Sequence, residues 1–179
     1  MSPPTEAVLR PAQPSDLAAA LDVNNANTPE VNRLTIEDLE RFAAIAHRFL
    51  VVELEREILG LLVVLDGPST PYASTNYQWF AERYDSFFYV DRIALSEAAR
   101  GLGLGRRLYT ALIAEGNSHD RPIAAEVNVL PANEPSMHFH RRMGFSPVGA
   151  RSFGDDKWVV MLATAPPPTD RSTGSPPTR

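Results

Sequence analysis

The chain has 179 residues, no cysteine and a formal net charge of −5. That length suits one domain with a sizeable core, and the missing thiols exclude disulfides, thiolate metal sites and cysteine nucleophiles. The acidic balance argues against nucleic acid as a main partner. No apolar run approaches the roughly 20 residues that span a bilayer, so no membrane partner is expected. The opening Met1-Ser2-Pro3-Pro4-Thr5-Glu6 lacks a basic-then-apolar leader, which makes a cytoplasmic location the default expectation.

Val8-Leu9-Arg10 reads as a short first strand stopped by Pro11, after which Pro14 opens a helix through Leu17, Ala20 and Leu21. Thr35 is the expected N-cap of a second helix, with Leu39, Phe42, Ala43 and Ala46 at helical spacing. Strands follow at Phe49–Leu54 and Ile58–Leu65, joined by the polar turn Glu55-Arg56-Glu57. Asp66 to Pro71 is loop. The aromatic stretch Tyr72–Tyr84 reads as a long loop with a short helix around Gln78–Arg83. A central strand is expected over Phe87–Leu95, a helix over Leu104–Glu115, and a strand over Ile123–Val129. A helix over Glu134–Met143 precedes strands near Pro147–Phe153 and Lys157–Ala163. The folded domain is thus drawn over residues 6–163. Residues 165–179, rich in Pro, Ser and Thr, are expected to be disordered.

Two segments carry chemistry. Arg100-Gly101-Leu102-Gly103-Leu104-Gly105-Arg106 follows the central strand and opens a helix. Alternate glycines leave backbone N–H groups uncovered, and a helix N-terminus adds partial positive charge, so the turn is a cradle for phosphate oxygens. Its spacing fits neither the dinucleotide fingerprint nor the Walker loop. The second segment runs from Asn133 to Phe145: Asn133 is a good N-cap, Pro135 is tolerated in the first turn, and Gly144 ends the helix in a left-handed turn.

Read together, R-x-x-G-x-G at Arg100, Gly103 and Gly105 and the Asn133–Phe145 segment resemble the two signatures of the GNAT acyltransferases, the GCN5-related N-acetyltransferases. The resemblance covers roughly residues 6–163, with its strong motifs in 87–145. It implies an α/β (α+β) fold: a mixed, mostly antiparallel central sheet flanked by helices, with two splayed parallel strands at its centre. It implies acetyl-CoA as cofactor and direct transfer of the acetyl group to a primary amine of a small molecule or peptide, with no metal. By that likeness, Ile93, Ala94 and Leu95 face the pantetheine arm with backbone groups. Arg100, Gly101, Leu102, Gly103, Leu104, Gly105 and Arg106 hold the pyrophosphate of coenzyme A. Asn133, Ser136 and Phe139 line the same arm, Asn133 serving also as helix cap.

An alkylamine is almost wholly protonated at neutral pH, so a base must remove a proton before attack. Asp91 is read as sharing a strand face with Ile93 and Leu95, near where several family members carry that base; Glu126, on the next strand, is the second candidate. Asp91 paired with Arg92 or Arg142 is the structural alternative. The family's usual tyrosine acid is replaced by His140, which either protonates the leaving thiolate or only packs beside the cofactor, and a thiolate leaving unassisted is the alternative. His138 is expected to face solvent. Asn24, Asn25, Glu30, Tyr77 and Trp79 are the acceptor-site candidates. The aromatics among them read equally as a core cap or as the contact of a homodimer. A silent sensor of coenzyme A and an acyltransferase for a non-amine acceptor are the alternative functions.

Overall fold

A computed structural model describes residues 6–168. Seven strands form one sheet in the order β1-β2-β3-β4-β5-β7-β6: β1 (Val8–Pro11), β2 (Arg48–Leu54), β3 (Glu57–Gly67), β4 (Phe87–Leu95), β5 (Ile123–Leu130), β6 (Ser146–Ser152) and β7 (Trp158–Ala163). All neighbours are antiparallel except β4 and β5, whose parallel pairing is confined to Phe88↔Ile123 and Tyr89↔Ala124. Beyond those two pairs the strands part, leaving a notch in the middle of the sheet. The expected mixed fold with splayed parallel strands is the one observed.

Helices α1 (Leu17–Ala26), α2 (Ile36–Ile45) and α3 (Thr75–Ala81) cover one face. Leu17, Val23, Leu39, Phe42, Tyr77 and Phe80 pack there on Val51, Leu61, Val63, Tyr89 and Met161. Helices α4 (Leu104–Ser118) and α5 (Glu134–Arg142) cover the other, burying Leu104, Leu108, Tyr109 and Leu112 on Val52, Leu62, Phe88 and Val127. Each face buries a continuous apolar layer, so the sheet is stabilised from both sides.

The local causes are legible. Thr35 and Asp38 form a reciprocal cap at the start of α2: Thr35 Oγ1 accepts from Asp38 N (3.3 Å) and Asp38 Oδ2 from Thr35 N (2.9 Å). Glu55 and Arg56 both take left-handed φ values, 51° and 71°, which is the two-residue turn that matches strand twist. The short aromatic helix begins earlier than expected, at Thr75, because the Ser74 hydroxyl caps it by accepting from Tyr77 N (3.4 Å). Pro14 opens a single tight 3-10 turn, Pro14–Asp16, before α1 starts. Of the tail expected to be disordered, residues 169–179 lie outside the described residues. Its first residue, Ala165, has its carbonyl held by the Tyr84 hydroxyl at 2.9 Å.

One irregularity decides how the sheet works. Val63 faces Arg92 while Val64 faces Val90, so Asp91 is an extra residue bulged out of β4. Before the bulge, Phe87 and Tyr89 point to the α1–α3 face; after it, Ala94 does, while Ile93 and Leu95 point to the α4–α5 face. Asp91 therefore does not share a face with Ile93 and Leu95. The bulge breaks the alternation on which that expectation rested.

Candidate active site

Two cavities meet along β4. The larger, about 880 Å³, lies between the strand end Ile93–Leu95, the loop Arg100–Arg106 and helix α5. The smaller, about 160 Å³, opens on the α1–α3 side of the notch and takes in Asp91, Arg92, Glu126 and Tyr72. Consecutive residues of one strand thus border both.

The larger cavity has an unusual floor. Gly101 and Gly103 adopt left-handed φ values of 78° and 72°, and the N–H groups of Gly101 through Arg106 find no acceptor among the described residues. These include the first-turn donors that every α-helix leaves unpaired. Arg100 and Arg106 flank them, and Arg100 Nη2 also donates to Asn27 Oδ1 (3.2 Å). The same Asn27 reaches the Leu95 carbonyl through Nδ2 (3.1 Å), tying the loop to the end of β4. Uncovered donors, positive charge and a cavity of this size fit a ligand bearing phosphates. Ile93, Ala94, Leu95, Leu104, Gly105, Ser136 and Phe139 line it. Leu102 does not, since its side chain is among the most exposed apolar groups of the protein. Nor does Asn133: its Oδ1 caps α5 by accepting from Ser136 N (3.2 Å), and the residue borders the smaller cavity. His138 is exposed, but it sits on the rim.

His140 is buried on α5 and reaches the larger cavity. Its Nδ1 lies 2.8 Å from the Ser136 carbonyl, which can only accept, so Nδ1 carries the proton. Nε2 then accepts from the Tyr109 hydroxyl at 2.9 Å. Burial lowers the pKa of the ring, which favours this neutral form. Both nitrogens are engaged, and neither offers a free proton to the cavity.

The smaller cavity contains both candidate bases, in different states. Asp91 bonds Arg92 Nε (2.7 Å) and accepts from the Tyr72 hydroxyl (2.5 Å), with both side chains of the ion pair at most 7% exposed. The structural alternative, a pair with Arg92, is what forms. Glu126 lies on β5 with its carboxylate held by the Tyr89 hydroxyl (2.7 and 2.9 Å) and by Asn76 Nδ2 (3.2 Å). Burial, reinforced by the nearby charge of Asp91, pushes its carboxyl up to about 7 against those hydrogen bonds. The Tyr89 hydroxyl is itself pushed well above its ordinary range by burial, so it remains a donor.

The acceptor-site candidates separate. Glu30 borders the smaller cavity. Asn24 is fully buried, accepting from Arg92 Nη1 (3.1 Å) and donating to the Asn32 carbonyl (3.1 Å). Asn25 clasps Leu34 through both backbone groups, at 3.1 and 2.9 Å. Both asparagines therefore hold the α1–α2 connection in shape and are spent on it. Tyr77 has no exposed surface and donates to the Asp66 carbonyl (3.1 Å), while Trp79 packs on Gly149 and under Arg83. Neither faces the cavity. Lys157 of the cavity wall and Tyr89, which holds Glu126, look in the sequence like ordinary strand residues.

Residues 18–145 match the acetyltransferase (GNAT) family, and the chain belongs to that family, which makes it an enzyme of the acyltransferase class. Solved structures share its fold. An N-acetyltransferase from Staphylococcus aureus Mu50 superposes with a TM-score of 0.64 at 22% identity, over 89% of this chain and 98% of that one. The Escherichia coli ribosomal-protein-S18-alanine N-acetyltransferase gives 0.65 at 13%, over 88% and 92%. Chaetomium thermophilum Naa20, solved with a bisubstrate analogue, gives 0.68 at 18%, over 89% and 86%.

Proposed function

We propose that the protein transfers an acetyl group from acetyl-CoA to a primary amine, with Glu126 as general base. The observation that carries this reading is the Glu126 carboxyl, poised at about 7 in a polar cavity that meets the phosphate-binding cavity along β4. A base whose pKa lies near the working pH combines the right protonation state with useful driving force.

The N–H groups of Gly101 to Arg106 would hold the pyrophosphate of coenzyme A, with Arg100 and Arg106 adding charge. Ile93, Ala94 and Leu95 would align the pantetheine arm along β4, and Ser136 and Phe139 would close its other side. Bound acetyl-CoA would supply the acetyl thioester: the ammonium would give one proton to Glu126, the freed amine nitrogen would bond the carbonyl carbon as the carbon–sulfur bond breaks, and the second nitrogen proton would leave with the thiolate as free thiol. Tyr89 and Asn76 hold the Glu126 carboxylate in place. Asp91 is paired with Arg92 at 2.7 Å, and its nearby charge helps to raise the Glu126 carboxyl. His140 shapes the cavity wall, and no protein acid is assigned to the thiolate, which at a thiol pKa of about 8.5 leaves tolerably unaided.

Two measurements test this. Calorimetry with acetyl-CoA, coenzyme A and ATP should give specific binding of the first two; no binding of either overturns the cofactor reading. Thiol release with a mixed amine panel should depend on Glu126, and an undiminished rate in Glu126→Gln removes the base assignment. The engaged nitrogens of His140 favour one second reading, a sensor that binds coenzyme A without turnover. Binding with no thiol release above background would establish it.

A further inference from the structure

The charges around the smaller cavity do not cancel evenly. Asp91 and Arg92 neutralise each other in a nearly water-free pair (2.7 Å). What remains at the wall is Glu126, Glu30 and Lys157, which leads into β7. Lys157 has no acidic partner among the described residues, and its ammonium lies 5.8 Å from the Phe153 ring. Its field reaches the site, since it draws the Glu126 carboxyl downward against burial. Glu30 stands exposed at the rim.

A second observation concerns Asn76, on the same wall. Asn76 donates through Nδ2 to Glu126, while its Oδ1 is buried with no partner among the described residues. A buried acceptor left unmatched costs about 1–3 kcal/mol, so a donor is missing there. Asn76 Oδ1 and the Glu126 carboxylate are neighbouring acceptors, and together they call for a group with at least two N–H bonds. A primary amine has them. On the wall of the same cavity of about 160 Å³, Lys157 calls for an anion.

We infer that the acceptor is a compact zwitterion, a free amino acid or an amine with an anionic group a few bonds away, its amine on Glu126 and Asn76 and its anion on Lys157. A peptide N-terminus carries a neutral amide where an amino acid carries its carboxylate, and it would leave Lys157 unmatched. This inference rests on the acetyltransferase reading above and narrows it to one substrate class.

The test uses acetyl-CoA and matched acceptors: the L-amino acids, their carboxamides, the corresponding decarboxylated amines, a trialanine peptide and putrescine, followed by thiol release. The acids should be preferred over their amides by about tenfold or more in kcat/KM, the size of one rim-to-partner charge contact. Lys157→Met should collapse that ratio, mainly through KM, and Lys157→Glu should invert it. Equal turnover of acid and amide, or a Lys157→Met change that lowers both alike, overturns the inference while leaving the enzyme reading intact. Preference for putrescine overturns it in favour of Glu30 as the distal anchor, and preference for trialanine in favour of a peptide acceptor. If no amine is acetylated although acetyl-CoA binds, the acetyltransferase reading falls and this inference with it.

Discussion

Glu126 carries the sharpest pH consequences. Only its ionised form can accept a proton, so kcat/KM should climb as pH rises through about 7 and level off above it. Glu126→Gln should lose about 10²–10⁴-fold in kcat/KM together with that rise. Stability moves the other way. A carboxyl held at about 7 when folded but near 4.5 when unfolded binds more protons in the native state, so stability is full below 4.5 and declines as pH rises toward 7. Glu126→Gln removes that decline and should be more stable than wild type at pH 8 by about 1–2 kcal/mol, with the gap closing by pH 4.5; denaturant titration at the two pH values measures it. His140→Ala leaves the Tyr109 hydroxyl without its buried acceptor and should cost about 2 kcal/mol, with the pH profile of turnover unmoved. A profile that shifts would return His140 to the chemistry.

At the scale of elements, the loop before α4 was the most readable part of the chain, and its reason is local. Glycine spacing and flanking arginines act through backbone conformation and charge within one turn, which a sequence displays directly. The face of Asp91 was unreadable because the bulge in β4 arises where Val63 and Val64 of β3 pair across it, many residues away. Tyr77 and Trp79 went astray for a related reason: aromatic side chains suit an acceptor wall and a core equally, and the packing of α3 chose the core. Lys157 carried no pattern at all, since its meaning comes from β5 lying next to β7. The loop has its own test. Gly103→Ala meets no steric obstacle but forces a side chain into the left-handed region, at about 1–2 kcal/mol. Coenzyme A affinity should fall by more than that stability loss explains. The N–H groups of Gly101 to Arg106 should exchange rapidly in the free protein and slow markedly with coenzyme A, as hydrogen-exchange mass spectrometry would register.

For the molecule as a whole, two cavities on opposite sides of one sheet predict how ligands combine. On the proposed function, cofactor and acceptor would not compete for space, so initial-rate plots should intersect; parallel lines would contradict a ternary complex. The notch that joins the cavities exists because β4 and β5 hold only two residue pairs in register. The single extra residue at Asp91 has a further consequence. It splits β4 into two stretches that border different cavities, Asp91 and Arg92 the smaller and Ile93 to Leu95 the larger. Substitutions on one stretch can therefore accumulate without disturbing the other, so that on the proposed function the choice of acceptor would be free to drift through evolution while the acetyl donor stays fixed.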